Sequence, residues 1–406
     1  MIYAISITVF SSVIGFLVIM LLFLEAKVVK KGDRRILINE EPSKSISVAN
    51  GVTLLSALSG KDIYLPSACG GGGSCGQCRC EIYEGGGDIL PTELPHLSRK
   101  EKKEHIRLAC QVKVREDMKI KIAPEIFSIR KFNATVASND NVSTFIKELV
   151  LELDPGESLE FKAGAYIQID IPEYETRFTD FDVADRFKAA WENFNLWQLK
   201  ASASEPVFRA YSLASPPYEN TCIRFTIRIA TPPPGVPEAL PGIGSSYVFS
   251  LKPGDRVTFS GPYGDFFVKD TDREMCFVGG GAGMAPMRSH IFHQLITEKT
   301  KRKMTFWYGA RSGQEIFYEK DFQDLEAQNA NFKFYIALSD PQPEDHWEGM
   351  TGFIHQCLYD HYLENYPDPG EVEYYLCGPP LMLAAIRDML DSLGVEPEMI
   401  AFDDFG

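Results

Sequence analysis

The chain has 406 residues, of which 45% are hydrophobic and 24% are charged, proportions that are ordinary for folded globular domains. Its 41 basic and 56 acidic side chains give a formal net charge of −15, which excludes nucleic acid as the main partner because that binding needs clustered Lys and Arg. Nine cysteines are too sparse for a disulfide scaffold in a chain of this length, which at roughly 150 residues per domain holds two or three domains.

The first segment, residues 2–24, is apolar and carries no charged side chain. As a helix with a rise of about 1.5 Å per residue it is roughly 35 Å long, enough to cross a hydrocarbon core of about 30 Å. A cleaved signal peptide is the alternative, but no basic residue precedes the apolar run and no small-residue cleavage pattern follows it. Five basic residues come next: Lys27, Lys30, Lys31, Arg34 and Arg35. The positive-inside rule therefore predicts a single-pass anchor with the rest of the chain in the cytoplasm.

A glycine-rich loop, CGGGGSCGQC, carries Cys69, Cys75 and Cys78, and Cys110 follows in IRLACQV. Three close thiolates with one distant thiolate suit a 2Fe-2S cluster, since each of its two irons takes two sulfur ligands from the protein. The glycines let the loop wrap tightly and turn backbone N–H groups towards cluster sulfur. Structural zinc is the alternative, because a two-residue gap is also a zinc spacing, but a second such pair is missing. Cys80 is expected to follow Cys78 onto the same strand face.

From about residue 131 the strands become longer and their apolar positions alternate, which indicates an antiparallel β-barrel. The candidate flavin residues are Arg209, Tyr211 and Ser212 in RAYSLAS, and Gly244, Ser245 and Ser246 in the turn GIGSS. Arg209 can pair with a phosphate, Tyr211 can lie flat on a ring system, and a helix N-terminus with hydroxyls suits a pyrophosphate. Each signal is weak by itself, since a serine-rich turn is also an ordinary helix cap.

From about residue 274 the chain alternates strands and helices, which predicts a parallel α/β sheet. GGGAGMAP lies where a strand meets a helix, the position of a dinucleotide pyrophosphate, and CGPP follows a later strand. The candidate nucleotide residues are Gly281, Gly283 and Pro286 in the first motif and Cys377, Gly378 and Pro379 in the second. Arg311 in YGAR can meet a 2′-phosphate, so these residues leave NADH and NADPH open. His290 and His293 are spaced as a helical metal pair, but no third ligand is near in sequence.

The order of RAYSLAS, GIGSS and GPYGDF, followed by the nucleotide motifs, resembles the ferredoxin–NADP⁺ reductase-like superfamily. The resemblance implies that Arg209 lies at the flavin pyrophosphate, that Tyr211 lies against the isoalloxazine, and that the GIGSS turn binds flavin phosphates, with FAD favoured over FMN. It also implies that the later motifs bind NAD(P)H with Cys377 near the nicotinamide. A C-terminal aromatic covers the opposite flavin face in that superfamily, which makes Phe405 the candidate here; a packed strand end is the alternative. Cys377 is expected to tune hydride transfer without acting as a nucleophile, and Phe405 to gate it.

An insertion of more than thirty residues, 173–206, separates YIQIDIP from RAYSLAS, where compact reductases have a short loop. Long insertions in compact domains tend to be functional or mobile. The insertion contains six notable aromatic residues: Phe178, Phe181, Phe187, Trp191, Phe194 and Trp197. They suit a lid packed over the barrel, and equally a docking surface for a membrane partner or a cover on the adenine.

With the anchor, the five-residue first cysteine gap, the insertion and the FDDFG terminus, the chain resembles the family of F subunits of the sodium-translocating NADH:quinone oxidoreductases over essentially its whole length. The resemblance implies a component of a bacterial inner-membrane complex that takes hydride from NADH onto FAD and passes single electrons through a 2Fe-2S cluster to other membrane subunits. Quinone (ubiquinone) is then reached indirectly, and sodium pumping lies in other subunits. The expected domains are a transmembrane helix over 2–24, an α+β ferredoxin-like domain over 33–130, an FAD-binding barrel over 131–268 and an α/β NADH-binding domain over 269–406.

Two other functions use the same motifs. A membrane-tethered reductase component of an oxygenase would carry the same FAD and 2Fe-2S cluster, but an anchor is foreign to those soluble components. A non-enzymatic iron–sulfur scaffold would keep the nucleotide fold for assembly, but the intact flavin motifs argue against it.

Overall fold

The computed structural model describes residues 7, 10–20, 32–233, 235–236 and 239–403. Residues 10–20 are helical and form α1. No helix among the described residues is both long enough and apolar enough to cross a membrane. The predicted anchor over 2–24 lies partly outside these residues.

The described chain divides into two compact units. The first unit contains the residues up to Leu65 together with Gly71–Ser128, and the second contains Pro66–Gly70 and Ile129 onward. The elements of the first unit after α1 are β1 (Arg34–Ile38), β2 (Glu41–Val48), α2 (Leu54–Ser59), β3 (Arg79–Glu84), α3 (Arg99–Lys103), β4 (Ile106–Leu108) and β5 (Met118–Lys121).

The first unit is built on a five-stranded sheet in the order β2-β1-β5-β3-β4. β1 and β5 pair in parallel, whereas the other pairs are antiparallel. The short strand β5 alternates buried Met118 and Ile120 with exposed Lys119 and Lys121, the period expected for a sheet with one face on a core. This α+β sheet carries the cysteine-rich loop between α2 and β3.

The second unit begins with the strands of the predicted barrel. Its elements up to Tyr263 are β6 (Arg130–Ser143), β7 (Ile146–Leu153), β8 (Tyr166–Ile171), β9 (Tyr174–Arg177), α4 (Asp185–Asn193), β10 (Lys200–Ala203), β11 (Val207–Ser212), β12 (Cys222–Arg228), α5 (Ile243–Ser250) and β13 (Arg256–Tyr263). Six of these strands form an antiparallel sheet in the order β11-β8-β13-β6-β7-β12. Side chains from all six meet in one core, so the sheet curves around its own interior and the predicted antiparallel barrel is confirmed.

The rest of the second unit alternates strands and helices, as the sequence predicts. Its elements are β14 (Glu274–Gly280), α6 (Met284–Phe292), β15 (Met304–Ala310), α7 (Glu319–Gln328), β16 (Phe332–Leu338), β17 (Met350–Thr351), α8 (Ile354–Leu358), β18 (Val372–Cys377), α9 (Pro380–Ser392) and β19 (Ile400–Asp403). The strands form a wholly parallel sheet in the order β17-β16-β15-β14-β18-β19. The order reverses between β14 and β18, and such a switch point is where open α/β sheets bind ligands.

Candidate functional site

Strand pairing brings three of the four predicted cluster cysteines together in the first unit. Cys78 immediately precedes β3 and Cys110 follows β4, and the backbone N–H of Ala109 donates to the Cys78 carbonyl at 2.8 Å. A hydrogen bond with the Cys110 thiol, together with burial and the nearby Cys75, raises the pKa of Cys78 well above its usual range. Neighbouring thiols of this kind can give up their protons to a metal that binds them as thiolates, so the donor set fits an iron–sulfur cluster.

The loop is shaped by glycine at the point where it passes Cys110. Gly73 has a φ of +82°, and a Cβ there would lie 2.5 Å from Nε2 of Gln111. The same Gln111 amide donates to the Cys110 sulfur at 3.4 Å. A side chain at position 73 would therefore displace a hydrogen bond to a predicted ligand. Cys69 is half-buried and lies in the stretch Pro66–Gly70; its role as fourth ligand stays a prediction.

Among the described residues, no three His, Cys, Asp or Glu side chains are arranged to hold one metal ion. A 2Fe-2S cluster does not need such a group, because each iron takes two protein thiolates. Cys80 is buried within β3, and its thiol donates to the carbonyl of Lys121 at 3.6 Å and to that of Glu81 at 3.7 Å. Burial raises the pKa of Cys80 to about 12. Cys80 is thus a core thiol bonded to backbone.

A buried ion pair that sequence reasoning missed supports the strand leading to Cys110. Arg107 in β4 donates to both carboxylate oxygens of Glu93, at 2.9 and 2.6 Å, and Glu93 also accepts from the backbone of Leu90 and Leu108. Burial opposes ionisation, but these hydrogen bonds hold the pKa of Glu93 below its usual range. Removing one partner of a buried pair costs about 3–5 kcal/mol. The only sequence signal was an arginine inside a short apolar strand.

The two predicted flavin motifs meet in the second unit. Arg209 and Tyr211 are two apart on β11 and therefore share one face. A Cβ on Gly244, in the first turn of α5, would lie 2.5 Å from Tyr211 Oη and 2.7 Å from Arg209 Cγ. Glycine at this position is what allows the N-terminus of α5 to approach the RAYS strand.

The two serine hydroxyls at this helix start differ. Ser245 Oγ donates to the Gly242 carbonyl at 3.2 Å and accepts from the Ala230 N–H at 3.0 Å, so it closes the turn. Ser246 Oγ is buried and has no hydrogen-bond partner among the described residues. No side chain among the described residues caps the N-terminus of α5. Buried polar atoms normally have partners, so an orphaned hydroxyl beside free helix N–H groups fits a bound phosphate.

Ser212, the last residue of the RAYS motif, faces a different partner. Its Oγ donates to Asp403 Oδ2 at 2.8 Å, which links β11 to the end of β19. Sequence reasoning missed Asp403, although it lies in the FDDFG terminus. Phe405, the predicted flavin cover, lies outside the described residues.

The predicted nucleotide motifs follow the neighbouring strands β14 and β18. A Cβ on Gly283 would lie 2.1 Å from the carbonyl oxygen of Cys377 and 2.8 Å from the backbone N of Gly378. The two motifs therefore touch through their backbones, which only glycine permits. Gly281, at a φ of +55°, begins the turn into α6, whose first residues include the buried Pro286. Pro379 is the N-cap of α9, so both candidate motifs end at helix N-termini.

The barrel and the parallel sheet are joined within this unit by polar contacts that the sequence did not indicate. Thr226 Oγ1 on β12 donates to the Ala282 carbonyl of the glycine run at 3.2 Å. Arg288 on α6 forms an ion pair with Glu219 at 3.1 Å. These contacts hold the glycine run against the barrel.

Of the remaining candidate residues, His290 is packed in the core, whereas His293 and Arg311 each lie beside a carboxylate. Burial lowers the pKa of His290 to about 3, so this histidine is neutral, and its ring packs edge-on against Phe266. His293 lies 3.3 Å from Glu298. Arg311 donates from Nε and Nη2 to Asp340 Oδ2, each at 3.1 Å.

Three family models match the chain. They are described as "2Fe-2S iron-sulfur cluster binding domain" over residues 38–115, "Oxidoreductase FAD-binding domain" over 193–268 and "Oxidoreductase NAD-binding domain" over 277–388. These matches confirm the ferredoxin-like, FAD-binding and NAD-binding parts of the predicted fold and all three cofactor predictions. The cysteine loop is accordingly an iron–sulfur motif and not a zinc site.

Solved structures share this fold at low sequence identity. A cytochrome P450 reductase of Amycolatopsis has a TM-score of 0.64 and 23% identity, with 92% of this chain and 98% of that chain covered. A ferredoxin reductase in carbazole 1,9a-dioxygenase has a TM-score of 0.60 and 24% identity, with 93% and 99% covered. At this level of identity the likeness extends to the fold alone.

Full-length relatives are much more similar. The F subunit of the Na(+)-translocating NADH-quinone reductase of Yersinia enterocolitica is 54% identical over 400 residues, which are 98% of each chain. The protein of the same name from Haemophilus ducreyi is 54% identical over 397 residues, 98% of this chain and 97% of the relative. The resemblance seen in the sequence is confirmed, and the chain belongs to the family of F subunits of the Na(+)-translocating NADH-quinone reductases.

Proposed function

We propose that this chain is the NADH-oxidising subunit of a sodium-translocating NADH–quinone reductase, and that the candidate residues hold its FAD, its NADH and its 2Fe-2S cluster. One observation carries the residue assignment. Gly244 in the first turn of α5 lies against Arg209 and Tyr211, and the same turn carries the orphaned Ser246 hydroxyl. The contact between Gly283 and Cys377 lies in the same unit. When bound, FAD takes the two electrons of NADH as a hydride, and a 2Fe-2S cluster carries them one at a time.

In the flavin site, each residue has a distinct task. Arg209 neutralises phosphate charge, and the Ser246 hydroxyl and the first N–H groups of α5 donate to phosphate oxygens. Tyr211 lies against the ring system. Ser245 holds the turn that presents these donors. Ser212, through Asp403, ties the C-terminal strand to the flavin strand.

In the nucleotide site, Gly281, Gly283 and Pro286 shape the turn that receives the pyrophosphate, and Gly378 and Pro379 shape the second turn. Cys377 is buried at the carboxyl end of β18 and positions the nicotinamide without attacking it. Phe405 covers the flavin face until nicotinamide displaces it.

Cys377→Ala should slow reduction of the flavin by NADH in stopped flow while FAD content stays constant, and an unchanged rate would contradict the role of Cys377. Phe405→Ala should lower the dissociation constant of NAD⁺; an unchanged constant would mean that Phe405 packs elsewhere.

The membrane anchor and the side of the membrane on which the domains lie are proposed from the sequence. Residues 2–24 form the membrane anchor, and the domains over 33–130, 131–268 and 269–406 lie on the cytoplasmic side of a bacterial inner membrane. Other subunits receive the electrons, so ubiquinone is reached indirectly. The 23 uncharged residues followed by a basic cluster support this arrangement. A chain lacking 2–24 should leave the membrane fraction; retention there would contradict the anchor.

The full-length chain purified in mild detergent tests the site assignment. Absorption should show one FAD and paramagnetic resonance should show one 2Fe-2S cluster after reduction. Cys75→Ala should abolish the cluster signal while NADH still bleaches the flavin. Arg209→Leu and Ser246→Ala should lower FAD affinity while the cluster signal stays. Loss of bleaching in the folded Cys75 variant would overturn the order of transfer, and unchanged FAD affinity in both flavin-site variants would overturn the flavin site.

A further inference from the structure

The insertion, residues 173–206, folds around its own apolar cluster. Its strands β9 and β10 pair antiparallel at its two ends. Of its six aromatic residues, Phe194 is 55% exposed, Trp197 is half-buried and the other four are buried. The apolar surface is thus used for packing inside the second unit, and little of it is offered as a docking surface.

The insertion packs against α5, the helix whose N-terminus faces the RAYS strand. Val248 and Leu251 of α5 belong to the barrel core, whereas Phe249 belongs to the cluster of the insertion. The Phe249 ring centroid lies 5.8 Å from that of Phe181 and 6.0 Å from that of Trp191. α5 is therefore held between the barrel on one side and the insertion on the other.

Polar contacts fasten the same helix near both ends. Tyr174 Oη, from β9, donates to the carbonyl oxygen of Ile243, the first residue of α5, at 2.5 Å. Lys252 Nζ, two residues beyond the helix, donates to the carbonyl oxygen of Asp180 at 3.1 Å. An element held at both ends and along one face has little freedom to shift or rotate.

We propose that the insertion is a positioning element for the flavin phosphates: it fixes α5 so that the Ser246 hydroxyl and the helix N–H groups converge on a diphosphate. This proposal rests on the proposed flavin site at α5. Phosphate binding at a helix N-terminus depends on several donors aimed at one point, so a helix that is free to shift should bind a diphosphate more weakly. Tyr174 and Lys252 are its positioning residues, because each donates to a backbone carbonyl that joins α5 to the insertion.

Tyr174→Phe is the sharpest test, since it removes one hydroxyl and keeps the ring. Lys252→Met removes the hydrogen bond to the Asp180 carbonyl at the C-terminal end of α5. In the full-length protein stripped of FAD and titrated with FAD, each variant should bind FAD about 3- to 10-fold more weakly, the range expected for losing one hydrogen bond. The rate of reduction by NADH at saturating FAD should stay within about two-fold, and excess FAD should restore activity.

Phe194→Ala is the matched control, because Phe194 lies in the insertion and packs edge-on against Phe145. Its FAD affinity should match the parent. If Tyr174→Phe and Lys252→Met bind FAD like the parent while Ser246→Ala binds weakly, the positioning role is wrong and the flavin site stands. If Ser246→Ala and Arg209→Leu also bind FAD normally, the flavin site itself is wrong. A loss of activity that excess FAD does not restore would show a merely structural role and overturn the proposal.

Discussion

Two glycine-rich helix starts in the second unit look alike in sequence but are built differently. At the start of α5, a Cβ on Gly244 would meet the side chains of Tyr211 and Arg209. At the start of α6, a Cβ on Gly283 would meet the backbone of Cys377 at 2.1 Å. Neither glycine has a positive φ, so close approach is what requires glycine in both. Side chains can move and a paired strand cannot, so the same substitution should have unequal effects.

The largest effect is expected for Gly283→Ala. The new methyl group overlaps the Cys377 carbonyl, whose strand β18 is paired on both sides, and overpacking of this kind costs about 3 kcal/mol or more when the neighbours cannot move. NADH should no longer bleach the flavin, and the midpoint of urea unfolding should fall. Gly60→Ala is the control, since its Cβ would find its nearest neighbour at 3.4 Å. Normal NADH binding by Gly283→Ala would refute the backbone contact.

The second prediction concerns two buried basic side chains, Lys147 next to α5 and His290 on α6. Lys147 Nζ is buried without a hydrogen-bond partner among the described residues and lies 5.5 Å from the Phe249 ring of α5. Burial, then repulsion by Lys252, lowers the pKa of Lys147 from 10.5 to about 8, although Asp182 and Asp140 oppose the shift. The histidine on α6, His290, is already neutral at pH 7.

Lys147 therefore destabilises the folded protein at neutral pH, whereas His290 does not. The folded state binds the lysine proton more weakly than the unfolded chain, so this cost is complete below about pH 8 and disappears as the pH rises towards 10.5. We expect Lys147→Met to raise the free energy of unfolding by about 2 kcal/mol at pH 7, with the gain shrinking at pH 10. Urea unfolding at both pH values measures this. A gain that is independent of pH would contradict the charge explanation.

A smaller effect is expected for Gly244→Ala. The methyl group displaces the Tyr211 hydroxyl and the Arg209 stem, which can shift, so the fold should survive while FAD binds about 10-fold more weakly. That ratio corresponds to about 1.4 kcal/mol. Adding Tyr211→Phe should recover part of the affinity, because it removes the nearest atom. If Gly244→Ala and Gly283→Ala lowered the midpoint of urea unfolding equally, the two helix starts would not differ in the way that these contacts predict.

The smallest effect lies further along the parallel sheet. Arg311 follows β15 and pairs with Asp340, and both side chains are more than half exposed. Such pairs are worth about 0–1 kcal/mol. Asp340→Asn should release Arg311 for a 2′-phosphate and lower the KM for NADPH about 3-fold, with the KM for NADH little changed. Steady-state rates with both nucleotides measure this, and Arg311→Gln in the same background should cancel the gain.

Much of the fold could be predicted because its signals are local. The alternating strands, the helix that opens at GIGSS and the strand–turn–helix at GGGAG each depend on the period of neighbouring residues, and all are confirmed. The cysteine spacing led to the cluster for a similar reason, since loop length limits which thiols can meet. Even so, the partners of the candidate residues were not evident: Ser212 donates to Asp403, which is 191 residues away.

The sequence by itself determined the order of the parts, the cofactors and the candidate motifs proposed to bind them. Only the tertiary structure decided how those motifs are supported. The hydrogen bond from Tyr174 to α5 joins residues 69 apart in the chain, and the one from Asn139 to the Leu251 carbonyl joins residues 112 apart. Neither contact has a local sequence signature, because a hydroxyl or amide that donates to a distant carbonyl leaves no periodic pattern. Periodicity reports which face of an element is buried. What that face is buried against depends on chain packing, and packing is settled by the whole fold.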